Sequence, residues 1–143
     1  MLEEMINSGL SDEGANEFYN HSKGGYGLPF AEGLLHQKRG YFEAATGLKL
    51  MPQNSYSRIY EDGNKMAVHT DREGLDLTVS VCVLRGFENR LCVIAHGGQA
   101  QCFDVLQGDA VLLKGRELRH YREEIKAEKG RKLFFVFLHY SVL

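Results

Sequence analysis

The chain has 143 residues, 43% hydrophobic and 25% charged, with a formal net charge of −2. That length predicts a single domain, 1–143, with a core large enough to need no staples. Acidic and basic residues are interspersed, which argues against a nucleic-acid partner held by bulk electrostatics. No apolar run approaches membrane-spanning length, and acids stand at the N-terminus where a secretory leader carries bases, so the expectation is a cytoplasmic protein with no membrane partner.

Residues 1–23 are polar and read as helical, with Ser11-Asp12-Glu13 placed to cap a helix through Phe18 and Tyr19. Gly24-Gly25-Tyr26-Gly27 reads as a loop closed by Pro29. From about 30 to 45 the period is helical: Leu34, Tyr41 and Ala45 share one face, with Leu35 and Phe42 beside it. Gly47 stops that helix. It is expected to lie against a sheet with Leu34 and Phe42 inward, so that 1–47 supports a β core spanning 48–143.

After Gly47 the period becomes strand-like. Strands are expected at Ser55–Tyr60, Met66–His69, Leu75–Val83, Arg90–His96, Ala100–Leu106, Ala110–Leu113, Leu118–Arg122 and Leu133–Leu138. Leu75, Leu77, Val79, Val81 and Val83 alternate with Asp76, Thr78, Ser80 and Cys82, the pattern of a half-buried strand. Gly97-Gly98 predicts a hairpin turn. Leu133 to Leu138 is apolar on both faces, as in a central strand. Eight short strands with tight turns predict a sandwich or jelly roll. The three cysteines, Cys82, Cys92 and Cys102, are odd in number and show no paired spacing, so they read as small buried hydrophobes rather than a disulfide framework.

The chemistry is concentrated in His69-Thr70-Asp71. Residues i and i+2 of a strand point to the same face, so one strand end offers an imidazole nitrogen and a carboxylate oxygen to one point. His120 is the candidate third ligand. It lies 120 − 71 = 49 residues beyond Asp71, room for four strands and a return to the same end of a barrel. Two His and one carboxylate with open positions suit non-haem Fe(II) and O₂.

These residues, in order, resemble the 2-oxoglutarate/Fe(II)-dependent oxygenases, in their prolyl-4-hydroxylase-like branch. The resemblance covers about 54–140. It is carried by Arg58-Ile59-Tyr60-Glu61-Asp62-Gly63, His69-Thr70-Asp71, Gly108-Asp109-Ala110-Val111 and His120-Tyr121-Arg122-Glu123. The family's usual Gly-Gly-Glu is absent, and Gly86-Phe87-Glu88-Asn89 stands in its place.

The resemblance implies a double-stranded β-helix, a cupin-like jelly roll with helices packed outside. It implies Fe(II) on His69, Asp71 and His120, with 2-oxoglutarate and O₂ consumed, ascorbate as reductant, and a peptide side chain or small molecule hydroxylated. A cation at the start of the last strand would hold the far carboxylate of 2-oxoglutarate. Arg131 and Lys132 stand 11 and 12 residues after His120, and Arg has the better fork for a carboxylate. Arg122 competes, since i+2 from His120 is the same face, and Tyr60 is a hydroxyl donor to the same group. The chain is short for the family, which leaves the substrate lid either minimal or supplied by Gly24–Pro29 or by the second subunit of a homodimer. Two other readings stay open: a non-catalytic jelly-roll module with a structural metal, and a cupin dioxygenase that needs no 2-oxoglutarate.

Overall fold

The computed structural model describes residues 22–143, which places the Ser11 cap and most of the expected first helix outside the described residues. In chain order the elements are β1 (Lys23–Tyr26), α1 (Pro29–Gln37), α2 (Arg39–Thr46), β2 (Leu50–Tyr60), β3 (Met66–His69), β4 (Leu77–Arg85), β5 (Leu91–Ile94), β6 (Ala100–Phe103), β7 (Ala110–Leu113), β8 (Arg119–Arg122) and β9 (Leu133–Val142). They form two antiparallel sheets, ordered β1-β2-β9-β4-β7 and β3-β8-β5-β6, stacked as a jelly roll. The eight expected strands after Gly47 all form. No helix among the described residues is long and apolar enough to cross a membrane.

Four elements differ from the sequence expectation. The glycine run at 24–27 is not a loop throughout. Lys23–Tyr26 is an edge strand paired with β2, Gly24 opposite Arg58. A Cβ on Gly24 would collide with the Tyr56 hydroxyl, so the glycine is there to let β1 pass close over that ring.

The single helix is two, with Lys38 (φ −93°, ψ 0°) between them. The break shifts the phase. Ala31, Leu35 and Phe42 are buried, Leu34 is partly buried, and Tyr41 is 70% exposed. Gly47 does stop α2, in the left-handed conformation at φ 74°, its N–H bonded to Glu43 O.

The β4 strand is buried on both faces. Leu77 and Val79 face the helices, while Thr78, Ser80 and Cys82, expected on a solvent face, point between the sheets. A jelly roll has two insides for its larger sheet, and the polar one is where a site is built.

The fourth difference is Cys92–Cys102, a disulfide rather than two free thiols. The two residues are direct partners across β5 and β6. Cys82 is the free, buried one, and burial pushes its thiol up to about 11.

Two apolar cores result. One joins the helices to the outer face of the larger sheet, through Leu35, Phe42, Val79, Phe134, Val136 and Tyr140 among others. The other fills the closed end between the sheets, through Tyr60, Met66, Leu91, Leu133 and Phe135. As expected, β9 is central, hydrogen-bonded to β2 and β4. Its even residues feed the first core and its odd residues the second. The Tyr140 hydroxyl donates to Leu35 O at 2.6 Å, tying α1 to the sheet.

Candidate metal centre

His69 ends β3, and His120 is its direct partner on β8, so the two rings rise side by side with centroids 4.3 Å apart. Four strands, β4 to β7, do separate Asp71 from His120 in sequence. Asp71 itself lies just past the end of β3. It is fixed by its own N–H, which donates to Gly115 O at 2.8 Å in the turn between β7 and β8. Asp71 Oδ1 stands 3.4 Å from Nε2 of His69 and 3.4 Å from Nε2 of His120. The three side chains offer ligand atoms that all lie within 4.8 Å of one another.

The donor chemistry fits a metal ion. Nδ1 of His69 lies 2.9 Å from Ala67 O, and Nδ1 of His120 lies 2.9 Å from Leu118 O. In each case the acceptor is the carbonyl two residues back. These bonds put the proton on Nδ1 and leave Nε2 with a lone pair. Yet both Nε2 atoms face a carboxylate oxygen. A cation between them resolves that opposition. Ligands about 2.1 Å from a first-row ion and roughly at right angles sit about 3.0 Å apart, opening to about 3.4 Å as the angle widens slightly. Burial works to raise the Asp71 pKa, but the neighbouring His120 and His69 rings and the hydroxyl of Thr78 more than reverse this and hold the carboxyl well below the usual carboxylate range.

Behind Asp71 the Thr78 hydroxyl donates to Oδ2 at 2.6 Å. Thr78 Oγ1 is also 3.0 Å from Nδ1 of His139. Burial lowers the His139 pKa to about 4, so the ring is neutral at neutral pH. Thr78 and His139 were not legible as site residues. The alternation around Thr78 predicts only the polar face of a half-buried strand, and His139 stands outside the motifs that carry the resemblance. The phase of β9 was the available signal, since it puts His139 on the face of Phe135 and Phe137.

A cavity of about 350 Å³ opens beside the triad. Its walls include Asn54, Tyr56, Arg58 and Tyr60, alternate residues of β2, with Met66, Leu91 and Phe137 toward the closed end. Arg58, missed in the sequence, is buried, donating to Ser22 O and Oγ at 2.9 Å and to the Tyr56 hydroxyl at 2.8 Å.

Of the four residues expected to meet a co-substrate, Tyr60 lines this cavity and Arg122 lies against Tyr60, whereas Arg131 and Lys132 are at the surface. Arg122 is 2% exposed, with its guanidinium 4.3 Å from the Phe135 ring centroid and 5.2 Å from that of Tyr60. Nη1 donates to Asn89 Oδ1 at 3.3 Å, while Nε and Nη2 have no partner among the described residues. No carboxylate among the described residues pairs with it. Arg122 does not line the cavity itself; its neighbours Tyr60 and Met66 do. Arg131, the preferred choice, is instead 61% exposed and 3.6 Å from Glu128, and Lys132 is 42% exposed and 3.8 Å from Glu61. Neither lines the cavity. The reason is phase: β9 begins at Leu133, whose odd residues face inward, so 131 lies before the strand and 132 faces out.

No family model and no curated protein matches the sequence. Solved structures do match the fold. A Pseudomonas putida prolyl-4-hydroxylase superposes with a TM-score of 0.74 at 14% identity, over 97% of this chain and 80% of that one. A 2OG-Fe(II) oxygenase family protein from Burkholderia pseudomallei gives 0.75 at 13% identity, over 98% and 76%. A Trichoplax adhaerens prolyl hydroxylase, in complex with a peptide fragment of the hypoxia inducible factor oxygen degradation domain, gives 0.68 at 13% identity, over 98% and 76%. The resemblance read from the motifs is thus a resemblance of fold along nearly the whole described chain.

Proposed function

We propose that the protein is an Fe(II)- and 2-oxoglutarate-dependent oxygenase that hydroxylates a peptide side chain or a small molecule. The observation that carries this reading is the pairing of the His69-Asp71-His120 centre with the buried guanidinium of Arg122. A buried charge without a counter-ion is expensive to keep. It is accounted for by an anionic ligand that arrives from the metal. Arg122 lies two residues deeper than His120 on the same strand, about 6–7 Å at the strand rise, the span of a five-carbon dicarboxylate bound at the metal by its keto end.

His69, Asp71 and His120 hold the ion and leave adjacent positions free. The ion, when bound, supplies the activation of O₂ needed to oxidise an unactivated C–H bond. Arg122 neutralises the far carboxylate, with the Tyr60 hydroxyl beside it, and so sets the depth of the co-substrate. Met66, Leu91 and Phe137 keep the inner cavity apolar and exclude water from the reacting atoms. The Trichoplax neighbour's peptide complex supports a peptide substrate entering at the Tyr26 and Tyr56 rim, where the two rings meet edge to face.

The test is turnover of 2-oxoglutarate to succinate by the protein with Fe(II), ascorbate and O₂, with and without candidate peptides. Succinate above the level of the His120→Ala protein is the expected result. Absence of succinate, together with no 2-oxoglutarate binding to the Mn(II)-loaded protein, sinks the proposal.

A further inference from the structure

The two oxygens of Asp71 live in different surroundings. Oδ1 faces both His Nε2 atoms at 3.4 Å. Oδ2 is taken by the Thr78 hydroxyl at 2.6 Å. A hydroxyl has one proton, and that short contact to a carboxylate uses it. The Thr78 oxygen must then accept from His139, whose Nδ1 is 3.0 Å away. His139 therefore fixes the direction in which the hydroxyl points. On the other side the backbone of Gly115 presses close. A Cβ there would stand 2.8 Å from Asp71 Cγ and 3.0 Å from Thr78 Oγ1, too near for either to stay in place. The carboxylate is thus clamped between a hydroxyl and a bare backbone, and its plane is not free to turn.

We propose that Thr78, oriented by His139, is a positioning residue that makes Asp71 a one-oxygen ligand and so sets the number of open coordination places. The inference rests on the reading of the triad as a metal centre. A carboxylate chelates an ion through both oxygens only if both can approach it. Here the second is held back by a charge-assisted hydrogen bond. With three protein ligands on a six-coordinate ion, about three places stay open; with a chelating carboxylate, about two. A two-point co-substrate plus O₂ needs three.

The test uses Mn(II), bound to the full chain, and counts its exchangeable waters by line broadening in ¹⁷O-enriched water. Wild type and Thr78→Ser, which keeps the hydroxyl, are expected to hold about three waters. Thr78→Val leaves a buried carboxylate oxygen without a donor; it should turn to the ion and lose one water, with Mn(II) affinity equal or higher. His139→Phe removes the donor that orients the hydroxyl and should give a mean count between these. A Thr78→Val protein that is less stable but still shows the wild-type count overturns the proposal, since a merely structural threonine would behave so. Failure of the underlying metal reading is visible separately, as wild-type protein that binds no stoichiometric Mn(II).

Discussion

His69 and His120 are direct cross-strand partners, and each turns Nδ1 to the carbonyl two residues before it. The repeated backbone contact presets both tautomers. The metal site is therefore built mainly by two short paired strands, whose register shifts once between Met66 and His69.

The first expectation follows from that register. His69→Ala, Asp71→Ala and His120→Ala should each abolish stoichiometric binding of Fe(II) or Mn(II) in anaerobic calorimetry. Unchanged affinity in His69→Ala and Asp71→Ala together would remove the site from this end of the barrel.

Arg122 gives a prediction with opposite signs for two measurements. Arg122→Met keeps the volume but removes a buried cation that has no counter-ion among the described residues, so thermal stability without ligand should rise, by about 1–4 kcal/mol. Affinity for 2-oxoglutarate should fall about ten- to a hundred-fold, the loss of a charge-assisted fork of about 1.5–3 kcal/mol. Arg131→Ala should leave that affinity unchanged, because its side chain is on the surface. Parallel loss of stability and affinity in Arg122→Met would make Arg122 a framework residue.

The pH dependence of stability is set by His139. Its pKa falls from 6.5 to about 4 on folding. Between those values the unfolded chain binds a proton that the folded one does not, so stability rises with pH there. The contribution is fully present above pH 6.5 and is lost as pH falls toward 4, amounting to about 3 kcal/mol at 1.36 kcal/mol per unit. Asp71, held low in the folded state, adds a further loss only below its ordinary value of 3.8. Denaturant titrations of His139→Gln should show a flatter profile between pH 4 and 6.5 than wild type.

The Cys92–Cys102 bridge closes a loop with a sequence separation of 10 residues. Loop-closure entropy for that length amounts to about 3 kcal/mol. A reductant, or the Cys92→Ser/Cys102→Ser double substitution, should lower the melting temperature by on the order of 10 °C. Metal affinity should change far less, since β5 meets β8 through backbone pairing at Val93 and His120.

What the sequence made legible was local period. Arg122 follows His120 inward because strand geometry requires it, and the same spacing picks out His69 and Asp71, although Asp71 lies past the end of β3 and is set by its N–H bond to Gly115 O. What it hid depended on contacts between distant segments. Nothing within Lys23–Tyr26 tells that Gly24 must pass over Tyr56, so a strand looked like a loop. Thr78 and Ser80 looked solvent-facing because a second sheet over them is not written in their own neighbourhood. Arg131 was chosen by counting from His120, whereas the phase of Leu133, Phe135 and Phe137 would have placed it outside. The disulfide was recoverable: Cys92 and Cys102 are equally far from Gly97 in the turn, so a symmetric hairpin makes them partners.

The four-residue strand β8 carries both His120 and Arg122. The distance between metal ligand and buried cation is then a property of one strand's repeat rather than of how separate elements dock. In the proposed function β8 acts as a gauge for the co-substrate's carbon chain. Breathing of the barrel or movement of the helices leaves that gauge unchanged. A 2-oxo diacid one carbon shorter or longer would misplace its far carboxylate at the buried guanidinium, so discrimination among such acids should be sharp even where selectivity for the oxidised partner is loose.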